Sequence, residues 1–131
     1  MRDIIIESVK NYSKIYLSKE VEVVNKFDIS NFKCAKVKIF GDINFDVVLY
    51  IDEESLNNIC NELFGFFDEN LRTDLLKEIV NIIAGNIQTK LEKNLEISTP
   101  IVCDNCEIGE GIYFKNDKLK IAISLKERVT I

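Results

Sequence analysis

At 131 residues with a net charge of −5, the chain has the size of one folded domain and a surface that repels nucleic-acid backbones. Apolar residues make up 47%, ample for a buried core, yet runs such as Val47-Val48-Leu49-Tyr50-Ile51 are far too short to cross a bilayer. There is no histidine, which excludes Ser-His-Asp and Cys-His nucleophile pairs, histidine-ligated zinc and phosphohistidine chemistry together.

In chain order, residues 2–18 carry Ile4, Ile5, Ile6, Val9, Tyr12, Ile15 and Tyr16 at a spacing that predicts a helix with one broad buried face. The N-terminal Met-Arg-Asp-Ile-Ile-Ile-Glu places a Glu where a signal peptide would be apolar, so a cytoplasmic protein is expected. Residues 21–27 and 34–40 then predict strands, the second alternating through Lys36, Val37, Lys38 and Ile39. Gly41-Asp42 predicts a tight turn into a third strand over 43–51. That strand ends as a continuous apolar run, so it should be central, or covered on both faces by a second subunit.

A second helix is predicted over 52–64 and, after a Gly65-to-Asp68 break, the longest one over 70–93. Pro100 forces extended backbone and marks a sheet edge or a strand start. Strands at 111–115 and 118–126 follow, joined at Asn116-Asp117. Ile39, Phe45, Val47, Leu49 and Ile51 align with Tyr113, Leu119, Ile121, Ile123 and Leu125 at one constant offset, a weak repeat of helix plus three strands. The expected fold is a single α+β domain over residues 1–131, a six-stranded, largely antiparallel sheet with helices on one face.

At about 100° per residue, the long helix has a wide apolar sector from Leu75 to Leu91. Opposite it runs a narrow polar strip of Asp74, Glu78, Asn81, Gly85 and Gln88, side by side through steps of four and three. Such a strip is also how any amphipathic helix meets water. Two members are odd, however. Gly85 costs roughly 1 kcal/mol relative to Ala inside a helix, and Asn81 is a poor helix former. A bare backbone patch beside an acid and an amide suits a surface that enters another molecule's site, although Gly85 could equally mark a close helix crossing.

The pattern Asp74-xxx-Glu78-xx-Asn81, followed by Pro100, resembles the signature shared by the CheC, CheX and FliY phosphatases. The fuller stretch Glu78-Ile-Val-Asn81-Ile-Ile-Ala-Gly85-Asn86, running into Leu91 and Ser98-Thr99-Pro100, is most similar to CheX, as is the short gap from Asn81 to Pro100. The first helix, with Glu7 to Asn11 in the corresponding place, lacks the motif, so one site per subunit is expected.

The resemblance implies a phosphatase acting on the aspartyl phosphate of a CheY-type response regulator in chemotaxis or two-component signalling. Asn81 would orient the attacking water and Glu78 would pair with the regulator's active-site lysine. Asp74, Gly85 and Gln88 would contact the partner, Asp74 by capping or orienting. The resemblance further implies no cofactor of the chain's own, Mg²⁺ on the regulator, and a homodimer. A non-catalytic module that docks a regulator or a flagellar switch component is the alternative. Cys103-Asp-Asn-Cys106 supplies two of the usual four zinc ligands and follows a proline rather than opening a helix, so reduced, packed thiols are expected.

Overall fold

The computed structural model describes residues 1–66, 68–103 and 111–127. Three helices, α1 (Arg2–Leu17), α2 (Glu53–Phe64) and α3 (Glu69–Lys90), are set among strands β1 (Glu22–Val24), β2 (Lys33–Gly41), β3 (Phe45–Ile51), β4 (Leu95–Ile97), β5 (Ile101–Cys103), β6 (Gly111–Lys115) and β7 (Lys120–Glu127). Every ladder among the described residues is antiparallel, in the order β1-β6-β7-β3-β2-β4, with β5 also on β2.

The helices begin and end where the local chemistry dictates. Asp52 caps α2 by accepting from the Ser55 amide at 3.0 Å, and Asp68 caps α3 by accepting from the Leu71 amide at 2.7 Å. Gly65 ends α2 in the left-handed region at φ 80°. The long helix stops at Lys90, three residues before the predicted end, because Leu91 closes it and Glu92 turns left-handed at φ 51°.

The sheet has seven described strands rather than six. The edge element expected around Pro100 is split into β4 and β5, which pair with different stretches of β2: Ile97 lies opposite Ile39, and Ile101 opposite Lys36. Proline has no N–H to give to a ladder, so the break falls at Ser98 to Pro100. The repeat, by contrast, appears as near two-fold symmetry. β3 and β7 pair at the centre, with Leu49 opposite Ile123, the two residues that the constant offset superposes. β1 borders β6 on one side as β4 and β5 border β2 on the other.

One face of the sheet packs against all three helices around Val37, Ile39, Val47, Leu49, Ile51, Phe114, Ile121 and Ile123. Burying even one such side chain contributes about 2 kcal/mol, so this core dominates the fold. The opposite face carries Cys34, Val48, Tyr50, Tyr113 and Ala122, covered by Phe27, Ile29 and Phe32 from the β1–β2 connection. Phe27 meets Tyr113 edge to face, ring centroids 4.9 Å apart. The apolar run of β3 is therefore buried on both sides within one chain, as a central strand, and its cover is this connection rather than a second subunit.

Gly41 closes the β2–β3 turn at φ 131°, and a Cβ there would lie 2.3 Å from the Asn94 carbonyl oxygen. The Asp42 amide donates to that same carbonyl and the Asn94 amide donates to Asp42 Oδ2, both at 3.1 Å, so the turn clasps the segment after α3. Gly41→Ala is expected to cost about 2 kcal/mol or more, read as a lower midpoint of urea unfolding with an unchanged slope.

Candidate functional site on helix α3

Leu75, Leu76, Ile79, Val80, Ile83, Ala84 and Ile87 bury one side of α3 against the sheet. That packing fixes the helix about its axis and turns the polar strip outward. Asp74 and Glu78 are exposed, while Asn81, Gly85 and Gln88 are half-buried. The helix is held at both ends. Arg72 donates to Glu53 at 2.9 Å and to Asn57 at 3.0 Å, tying the start of α3 to α2. Near the other end, Gln88 Nε2 donates to the Leu95 carbonyl at 2.6 Å and anchors β4. Gln88 thus spends its side-chain amide on a structural hydrogen bond within the chain, and the Gly85 carbonyl accepts from Thr89 Oγ1 at 3.0 Å.

Gly85 has nothing within 4 Å of where a Cβ would stand. Among the described residues no close helix crossing explains this mid-helix glycine, and a Cβ-sized space lies open at Gly85, one turn beyond Asn81.

Helix α1 packs along α3, with Lys90 Nζ 2.9 Å from Glu7. It brings in two residues that sequence reasoning did not assign to the site. Tyr12 is buried and stacks on the half-exposed Tyr16, ring centroids 5.1 Å apart. Burial pushes the Tyr12 phenol well above its ordinary value, and the nearby Glu78 carboxylate adds to the effect. Tyr12 therefore stays neutral beside Glu78 at physiological pH. Their spacing of four on the predicted first helix was the available signal.

The linkage has a definite sign. Between the unfolded value near 10 and the higher folded value, the unfolded chain loses the Tyr12 proton and the folded chain keeps it. Stability is expected to fall as pH rises above about 10, and less steeply in Tyr12→Phe, which unfolding midpoints across that range would reveal.

The strip forms a ridge, exposed at Asp74 and Glu78 and half-buried at Asn81, Gly85 and Gln88. A groove of about 780 Å³ lies elsewhere, between α1 and the β6–β7 turn, lined by Lys10, Lys14, Lys19, Lys115 and Lys118 among others and by no member of the strip. Among the described residues no cluster of three His, Cys, Asp or Glu could hold a metal ion. A carboxylate and a carboxamide one turn apart on a rigid ridge can donate, accept and pair with a cation, but only in a site that another molecule completes.

This fold is that of CheX- and CheC-like proteins among the solved structures it resembles. CheX from Vibrio vulnificus superposes with a TM-score of 0.78 over 95% of each chain at 17% identity. CheX from Desulfovibrio desulfuricans gives 0.76 over 96% of this chain and 97% of that one at 14% identity. The CheX–CheY–BeF3–Mg²⁺ complex from Borrelia burgdorferi gives 0.76 over 96% and 97% at 19% identity. At these identities the likeness concerns the fold. A comparison with curated proteins finds none that matches. The model of the family described as chemotaxis phosphatase CheX matches residues 33–110, more than half of the chain and all of α3. The chain belongs to the CheX family.

Proposed function

We propose that this chain hydrolyses the aspartyl phosphate of a CheY-type response regulator, with Glu78 and Asn81 entering the regulator's active site. The observation that carries the reading is the ridge itself. Glu78 and Asn81 stand outward on a helix pinned at both ends, inside the region that the family model matches, and the backbone at Gly85 beside them is open. Glu78 pairs with a lysine of the regulator and sets the register of the helix. Asn81 holds a water in line with the phosphorus–oxygen bond, accepting from the water and donating to the phosphoryl group.

Hydrolysis of an acyl phosphate depends mostly on such positioning, and the regulator supplies the Mg²⁺ that offsets the phosphoryl charge. Asp74 and Gly85 extend the contact surface to either side. Gln88 contributes indirectly, by fixing the end of α3. The neighbour solved as a CheX–CheY–BeF3–Mg²⁺ complex supports a regulator as the partner. The test compares variants. Asn81→Ala retains regulator binding and loses phosphate release if the site is catalytic, whereas equal phosphate release by wild type and variant contradicts the proposal.

The same reading makes the protein a cytoplasmic homodimer. No described helix is long and apolar enough to cross a membrane. Ile101 and Val102, 48% and 40% exposed on the short edge strand β5, support a contact between copies. Ile101→Lys is expected to shift the mass in solution from dimer to monomer. A monomeric wild type at micromolar concentration would contradict the assignment.

A further inference from the structure

The sequence draws attention to Cys103 and Cys106, but the ladder gives Cys103 a different neighbour. Cys103, at the end of β5, lies directly opposite Cys34 of β2. Directly opposed residues of an antiparallel pair share a face, and Cys103 packs against the cluster that holds Cys34, whose Sγ donates to the Cys103 carbonyl oxygen at 3.0 Å. Cys106 lies outside the described residues.

Directly opposed residues of an antiparallel pair have Cα atoms about 4.5–5.5 Å apart. A disulfide spans roughly 4.4–6.8 Å between Cα atoms. The register thus places the pair within the range that a disulfide spans, and the Cys34 side chain must turn away from the Cys103 carbonyl for the sulfurs to bond. Access is graded as well. Cys103 is half-buried at the sheet edge, and Cys34 is 4% exposed beneath it. The third described cysteine, Cys60, is buried among the helices, where burial pushes its thiol up, and it takes no part.

We propose that Cys34 and Cys103 are a redox-modification site, a dithiol that a peroxide converts to a cross-strand disulfide. The Cys103 thiolate attacks one peroxide oxygen, the O–O bond breaks, and hydroxide leaves to become water, leaving a sulfenic acid on Cys103. Cys34 then attacks that sulfur. The S–O bond breaks, hydroxide takes up the Cys34 proton, and a second water departs. Two thiols give up two electrons and the peroxide accepts them. The bond joins residues 69 apart in sequence and so encloses β3, α2, α3 and β4. The edge strand that follows Pro100 becomes covalently fixed to β2, and the unfolded chain is constrained by a long loop.

The test treats the full chain with hydrogen peroxide, blocks remaining thiols, and maps peptides without reduction. The expected result is a Cys34–Cys103 link in wild type and in Cys106→Ser, and none in Cys34→Ser or Cys103→Ser. The Tm of the oxidised protein is expected to rise by roughly 5–15 °C and to return on treatment with dithiothreitol. A Cys103–Cys106 link in wild type, or Cys34 recovered fully alkylated after oxidation, overturns the proposal. Wild type and Cys106→Ser decide the matter even if the other two variants fold poorly.

Discussion

Asn81→Ala is expected to lower the protein-stimulated release of phosphate from a regulator by about 100-fold, the scale of losing a positioned group that directs a proton-bearing nucleophile. The fold should not suffer. Asn81 is half-buried and outside the buried apolar face by which α3 packs, and alanine is the better helix former. The Tm should therefore hold within about 2 °C or rise slightly. Glu78→Ala differs in kind. Removing a charge that pairs with a cation on the partner weakens association first, so KM should rise by about tenfold or more. Comparing the two in one kinetic series separates them: Asn81 acts on kcat, Glu78 on KM as well.

Gly85→Ala should separate stability from function most sharply. A Cβ at Gly85 meets nothing within 4 Å, so the substitution removes the helix penalty of glycine at no steric cost within the chain. The expected gain is about 1 kcal/mol, or about 4 °C in Tm. If the open backbone is where the regulator approaches, the added methyl holds the two molecules apart, and phosphate release should fall by about tenfold. Gly85→Leu should abolish it with the fold intact. A more stable protein with undiminished activity would mean that the regulator does not come close at Gly85. A less stable one would contradict the open geometry. Retaining a destabilising residue at a working surface is the trade expected of functional sites.

The parts of this fold that were legible from sequence are those fixed by local chemistry. The helix over 52–64, the break from Gly65 to Asp68 and the strand alternating through Lys36 to Ile39 are read directly, and the structure adds that Asp52 and Asp68 cap the two helices, because caps and pleats act within a few residues. The constant offset between the two hairpins was visible too, and it became the pairing of Leu49 with Ile123 at the centre of the sheet. The rest depended on which distant elements meet. Phe27, expected at the end of a strand over 21–27, lies beyond the shorter β1 (Glu22–Val24) and covers the second face of the sheet with Ile29 and Phe32, a tertiary role that no local pattern announced.

The split of β4 from β5 was half legible. Pro100 signalled a sheet edge or a strand start, but nothing local said that strands on either side of it would both pair with β2. On the candidate site, the strip from Asp74 to Gln88 follows from helical spacing alone. The bond from Gln88 to Leu95, the open space at Gly85 and the presence of Tyr12 beside Glu78 are tertiary facts. Cys34 and Cys103 make the same point: 69 residues apart in sequence, they are neighbours only through strand register.

The most direct test of the account is turnover at low ratio. A phosphorylated CheY-type regulator in large excess would be followed for phosphate release after adding a small amount of this protein with Mg²⁺ present. Each molecule is expected to clear many equivalents of phosphoregulator, at a rate proportional to the protein added, and Asn81→Ala is expected to remove the acceleration. Decay at the regulator's own rate, despite a demonstrated complex between the two, would contradict it and leave the ridge on α3 as a docking surface without catalysis.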